Sequence, residues 1–149
     1  MIKSNAILVK NLIELALSLK QKGDLVNSKI QLKKALKIDP ENIFALNNLG
    51  SIYSATNRPN EAKKFYKKAI SFKSNYSNAI FNLALTYEET GNTQKAIDLY
   101  KKAIEYDDKN LGFYHNLYRV NADYFNENKI KNIEKILKEE KLSDFNIAS

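Results

Sequence analysis

The chain contains no cysteine, no tryptophan, a single histidine (His115), two arginines (Arg58 and Arg119), two prolines and four glycines. Without cysteine there is no disulfide, no thiolate metal ligand and no cysteine nucleophile, and the redox compartment stays open. One histidine excludes a multi-histidine metal site. No apolar run approaches the roughly 18 residues that a membrane-spanning helix needs. Met1 to Leu19 carries Lys3 ahead of a greasy stretch, but Lys10, Asn11 and Glu14 interrupt it, so it lacks the apolar core of a signal peptide. A soluble, cytoplasmic protein is the default expectation. There is no glycine-rich phosphate loop. Glu88-Glu89 and Asp107-Asp108 read as helix-end charges, not as a carboxylate pair in a cleft. His115, alone, reads as a groove-lining or packing residue. The expectation is a non-enzyme with no catalytic residue, no metal and no cofactor.

What is present suggests a folded domain. The 149 residues are 44% hydrophobic, with nine Tyr and seven Phe to fill a core,. The formal charge of +7 suggests an acidic partner,. Lysine supplies nearly all of it, however, and arginine is the residue that phosphate sites favour. The chain also holds 19 Asn and 15 Ile. Such an excess resembles that of AT-rich genomes, and the basicity reads mainly as that bias.

One pattern occurs three times, each copy 34 residues after the last. Leu12, Leu15, Ala16 and Leu19 return as Leu46, Leu49, Gly50 and Tyr53, then as Ile80, Leu83, Ala84 and Tyr87. Downstream, Ser28, Leu32 and Ala35 return as Ala62, Tyr66 and Ala69, then as Ala96, Tyr100 and Ala103. A period of this size marks a repeat architecture whose units stack into an extended curved surface. Each unit holds two apolar stripes spaced near i, i+3, i+4, i+7, the amphipathic helix period. Gly23-Asp24, Asn57-Arg58-Pro59 and Gly91-Asn92 separate the stripes. Gly and Asn tolerate the left-handed backbone that ends a helix, and Pro suits the first turn of the next. Helix pairs are therefore expected at 6–21 and 25–37, 43–56 and 59–72, 77–90 and 93–106. No strand pattern of useful length occurs. Small residues at 16, 50 and 84, and at 28, 62 and 96, let paired helices approach closely, with Tyr66 and Tyr100 filling the gap to the neighbour.

Leu49, Gly50, Tyr53, Ala62, Tyr66 and Ala69 resemble the tetratricopeptide repeat signature. So do Leu83, Ala84, Tyr87, Gly91, Ala96, Tyr100 and Ala103, and Gly23, Ala35 and Pro40 fit the same frame. Leu19, Ser28, Ser74 and Asp108 depart from it. The resemblance implies an all-α fold, an α-solenoid of tandem antiparallel helix pairs wound into a right-handed superhelix. One domain over 1–149 is expected, with repeats 9–42, 43–76 and 77–110 and a degenerate capping repeat, 111–144. In that last unit Tyr114 and Leu117 hold their places. Tyr118 and Asn121 replace a small residue and an aromatic. Ile133, Ile136 and Leu137 keep second-helix spacing one residue early, as a turn shorter by one residue would give. Lys129, Lys131, Glu134, Lys135, Lys138, Glu139 and Glu140 make the last helix polar enough to cap the stack.

The resemblance implies that the first helix of each unit lines the concave side. Asn48, Asn82 and Asn116 recur there, with Glu14 in the first unit. A row of carboxamides offers a donor and an acceptor at each step, which suits the backbone of an extended peptide. It is similar to the asparagine ladder in the repeat domain of O-linked N-acetylglucosamine transferases. The other reading is that Asn is common at this place in the family and in this chain. Phe44, Asn47, Ser51, Asn78, Phe81, Leu85, His115 and Arg119 are expected beside the row; packing of Phe44 or Phe81 on the adjacent repeat is the alternative. The expected partner is a protein or extended peptide segment.

Three further uses are weighed. A carboxylate clamp for chaperone C-termini needs Lys and Arg on the inner helices. Only Asn48 matches, with Ile13, Leu17, Asn78 and Asn82 at the other places, so a clamp is not expected. Phe113-Tyr114-His115-Asn116-Leu117 through Leu142-Ser143 resembles the repeat region of bacterial repeat-linked sulfotransferases, and Phe145 to Ser149 reads like the opening of a further repeat. This makes a substrate-recognition region of, or derived from, a larger sulfotransferase or glycosyltransferase the second hypothesis. Lys33-Lys34, Lys67-Lys68 and Lys101-Lys102 recur on the outward faces of the second helices. With arginine and interleaved aromatics scarce they read as solvated faces, and nucleic-acid binding through this ridge is the third hypothesis. Terminal repeats leave pairing with another copy open.

Overall fold

The computed structural model describes residues 2–147, and side chains within 5–139. The side chains from Glu140 onward and residues 148–149 lie outside that description, so the reading of Phe145 to Ser149 as the opening of a further repeat is covered only by the backbone of 145–147, which continues the last helix. Eight α-helices follow in order among the described residues, with no strand. They are α1 (Ile2–Gln21), α2 (Leu25–Ile38), α3 (Ile43–Ala55), α4 (Pro59–Phe72), α5 (Ser77–Glu89), α6 (Thr93–Tyr106), α7 (Leu111–Val120) and α8 (Glu127–Ile147). A short 3₁₀ turn, Ala122–Tyr124, joins the last two. Helices α1 with α2, α3 with α4, and α5 with α6 pack as antiparallel pairs, and each pair packs on the next. The architecture is an all-α solenoid.

The turns inside the pairs keep the period. Gly23 (φ 81°), Asn57 (φ 55°) and Gly91 (φ 79°) take the left-handed conformation, which Gly adopts freely and Asn at low cost. Asp24, Asn42, Asn92 and Asn110 accept from backbone N–H groups at the starts of α2, α3, α6 and α7, satisfying donors that a helix start leaves orphaned. Pro59 opens α4, where its missing N–H costs little. Ala16, Gly50 and Ala84 are buried, and so are Ser28, Ala62 and Ala96 on the paired helices. Ser28 is accommodated because its hydroxyl donates to the Ala16 carbonyl at 2.7 Å,.

The fourth pair departs, though not through a shortened turn as expected. Helix α8 begins at Glu127, one full period after Thr93. What changes is the end of α7. It stops at Val120, about a turn earlier than its counterpart α5, which runs on to Glu89. The cause is local. Phe125 stands where Gly91 stands one repeat back, and it sits at φ −92°, since a bulky residue disfavours left-handed backbone. The chain therefore leaves the helix at Asn121 and reaches α8 through the 3₁₀ turn. The burial on α8 does follow the one-residue-early spacing. Ile136 is buried and Ile133 packs beside it, while Leu137 is 41% exposed. Tyr118 and Ile130 occupy the places of Ala84 and Ala96. Large side chains at that crossing prevent close approach, and α7 and α8 do not pack along their length as the first three pairs do. A cleft of about 770 Å³ lies between them.

Candidate functional site

Helix α3 touches both α1 and α5, which sets these first helices side by side. Asn48, Asn82 and Asn116 are half-buried on α3, α5 and α7. Asn48 donates to the Phe44 carbonyl, and Asn116 to the Gly112 carbonyl, both at 2.9 Å. Asn82 instead donates to Asn47 Oδ1 at 3.0 Å, which ties α5 to α3. A carboxamide nitrogen carries two hydrogens, so each of the three keeps an N–H to offer. No donor in the described residues reaches Oδ1 of Asn48 or Asn82. That of Asn116 accepts from Arg119 Nη2 at 3.3 Å.

The other expected groove residues divide. Ser51 accepts from Lys20 Nζ at 2.6 Å, a bond between α3 and α1, and desolvation lowers the Lys20 pKa. Asn47 also faces Tyr76, whose phenol is pushed up by burial and eased back by that hydrogen bond. Asn78 is exposed and Leu85 is half-buried against the core. Phe81 is drawn inward, stacked on Phe113 at 4.6 Å and tilted against Tyr100 at 5.5 Å. Phe44 stays 55% exposed, with only an edge contact to Tyr76 at 5.8 Å. Two of these residues also line clefts. Phe44 lines a cleft of about 550 Å³ with Val9, Ile13 and Ile38. His115 lines the α7–α8 cleft with Tyr118, Ile133 and Leu137.

Arg119 is held by a partner that the sequence reading treated as a plain helix-end charge. Its Nη2 donates to Glu88 Oε2 at 2.9 Å, and the Tyr100 hydroxyl donates to the same oxygen at 2.7 Å. Burial, then the Glu88 hydrogen bond, push the Tyr100 phenol far above its usual range. One carboxylate thus links α5, α6 and α7, and Arg119 is not a free cation in the groove.

The sequence reading also missed a row of tyrosines beneath the lysines. Lys29 and Arg58 lie over the Tyr53 ring at 5.9 and 4.8 Å. Lys63, Lys67 and Lys95 surround Tyr87 at 5.2, 5.8 and 5.4 Å. Lys101 and Lys129 lie over Tyr124 at 5.0 and 3.4 Å. Aromatic residues therefore do interleave with the basic side chains, contrary to expectation. Tyr53 and Tyr87 share the period and could have been found from it. Tyr124 could not, because the 3₁₀ turn brings it to the place of the aromatic missing at Asn121.

Family models described as the tetratricopeptide repeat match residues 9–42, 45–76 and 77–110. No curated protein matches the chain. Several solved structures share the fold. A mutant O-GlcNAc transferase of Thermobaculum terrenum matches over 78% of this chain at 22% identity and a TM-score of 0.75. The chain spans only 22% of that transferase's length, so its activity does not transfer. MamA matches over 91% of this chain and 80% of its own, at 23% identity and a TM-score of 0.71. The first TPR of Spaghetti, bound to an HSP90 peptide, matches over 78% of this chain and 95% of its own, at 16% identity and a TM-score of 0.74. At these identities the likeness shows the fold alone. The family matches cover more than half of the chain, and the helix pairs stack at the same step, so the protein belongs to the tetratricopeptide repeat family.

Proposed function

We propose that the protein is a non-enzymatic scaffold that binds an extended protein or peptide segment along α3, α5 and α7. The half-buried row Asn48, Asn82 and Asn116 carries this reading, since each amide has an N–H left to give. Such groups match the N–H and C=O of a peptide backbone, which need partners once buried. Phe44, exposed beside the row, adds an apolar contact for a side chain of the segment,. The peptide-bound Spaghetti domain supports the use of this fold for peptides. The absence of clamp cations on the inner helices argues for a different segment than a chaperone tail.

The test replaces Asn48, Asn82 and Asn116 together with alanine and measures affinity for a segment recovered by affinity capture with the native chain. Each Asn–backbone bond contributes about 0.5–1.5 kcal/mol, so a loss of about tenfold or more is expected. Asn60→Ala, which removes an exposed carboxamide on α4 outside the row, serves as control. Unchanged affinity in the triple variant, or an equal loss in the control, rejects the reading. A second reading places the same row in the substrate-recognition region of a larger transferase, which the likeness to a transferase's repeat region favours. It predicts a catalytic domain in the same coding sequence, and that the captured segment is a substrate of that domain.

A further inference from the structure

Tyr87 sits on α5 between α4 and α6, away from the asparagine row. Three ammonium groups converge on it. Lys63 and Lys67 come from α4, Lys95 from the first turn of α6, all 5.2 to 5.8 Å from the ring centre. None of the three is paired with a carboxylate among the described residues; the ion pairs of the fold use other cations. A ring offers two faces, so cation–π attraction does not by itself gather three cations. Hydrogen bonding from Lys67 lowers the Tyr87 phenol pKa, and the charges of Lys67, Lys95 and Lys63 add to that against desolvation. The hydroxyl therefore lies within the field of all three.

The neighbouring repeats show that this concentration of charge is particular to Tyr87. One repeat back, Glu61 stands at the place of Lys95 and accepts from Arg58 Nε at 2.9 Å, beside Tyr53. One repeat on, Lys101 and Lys129 keep their places at Tyr124, but Ile97 replaces Lys63. The cluster is neutralised at the first tyrosine, fullest at the second and partial at the third. Like charges held together without a counter-ion repel one another, and a multivalent anion would relieve that repulsion.

We propose that Lys63, Lys67, Lys95 and the Tyr87 hydroxyl form a binding site for a multivalent oxyanion of the phosphate class. Each ammonium brings three donors and the phenol one. A phosphate or pyrophosphate group brings matching acceptors and the opposite charge, and charge-assisted bonds of this kind are the strong ones. The site does not depend on the peptide reading, because it uses α4, α5 and α6 from their other side.

The probe is pyrophosphate, titrated into the isotope-labelled full chain at physiological salt and followed by amide chemical shifts. Saturable shifts centred on Tyr87 and Lys95 are expected. Lys67→Ala and Lys95→Ala should each weaken binding by about tenfold. Tyr87→Phe, which keeps the packed ring, should weaken it by a smaller factor. Lys33→Ala with Lys34→Ala, on α2, should change nothing. Lys33, Lys34, Lys67 and Lys95 are exposed, Lys63 and Tyr87 are half-buried, and thermal melts confirm that each variant folds. A single-stranded oligonucleotide forms the second arm. Tighter binding than pyrophosphate, lost in the triple variant Lys63→Ala, Lys67→Ala, Lys95→Ala, identifies a phosphodiester chain as the source. Binding no tighter than pyrophosphate identifies a small phosphate-bearing ligand. Shifts spread along every lysine-bearing helix without saturation, or an equal response to the α2 control, overturn the proposal.

Discussion

Replacing Gly50 with alanine sets two effects against each other. In an exposed helix interior the change would stabilise by about 1 kcal/mol. Here a Cβ on Gly50 would lie 2.6 Å from Cε1, 2.8 Å from Cδ1 and 3.0 Å from Cζ of Tyr66. Carbon atoms rest comfortably at about 3.5–4.0 Å, so the ring must move. Tyr66 is only 2% exposed and belongs to a core cluster with Ala62, Leu49 and Leu83. At interior packing density it cannot swing without displacing those neighbours. Overpacking of this kind costs about 1–3 kcal/mol. Subtracting the helix preference leaves a net destabilisation of about 0–2 kcal/mol. The same substitution in a Tyr66→Leu background should become favourable, since the ring is gone. Urea denaturation of the four proteins closes a double-mutant cycle, with an expected coupling of about 1–3 kcal/mol. Should Gly50→Ala alone raise stability by about 1 kcal/mol, the ring yields freely and the close-contact reasoning fails.

Glu88→Ala should destabilise by about 1–3 kcal/mol, because it strands the hydroxyl of Tyr100, a residue with no exposed surface,; an equal cost in a Tyr100→Phe background would refute that cause. Arg119→Ala should leave the melting temperature nearly unchanged, because its pairing with Glu88 is exposed on the arginine side and screened by water,; a large drop in a thermal melt would contradict this. Burial raises the pKa of Tyr66 and of Tyr100 in the fold. The unfolded chain loses those protons near the usual value of about 10. Above that pH the folded state holds more protons, so stability is complete below about pH 10 and falls as pH rises. Denaturation midpoints that stay flat across that range would argue against it. Ala62→Leu should cost about 1–3 kcal/mol by crowding the α3–α4 crossing, and a neutral midpoint in urea would show that the helices have room there.

Helix positions were legible because their signals are local. Gly23, Asn57 and Gly91 mark the pair turns through a backbone conformation that few other residues accept,. The buried set Ala16, Leu49, Ala62, Ala84 and Ala103 follows from residue size at a repeating step. The fate of the candidate groove residues was less legible. Phe44 and Phe81 are one residue type on neighbouring first helices, yet one is exposed and one packs on Phe113. Glu88 and Glu89 are adjacent in the chain, yet only the first finds a buried hydroxyl and a guanidinium.

By itself the sequence determined the repeat, the helix pairs and the close crossings, since period, side-chain size and turn residues act within one unit. The tertiary structure alone decided what the fourth pair became, which phenylalanine stays outside and where the lysines gather. Those outcomes depend on side chains that meet across units. Phe125 refuses a left-handed turn, Tyr118 and Ile130 crowd a crossing, and a 3₁₀ turn carries Tyr124 beneath Lys101 and Lys129.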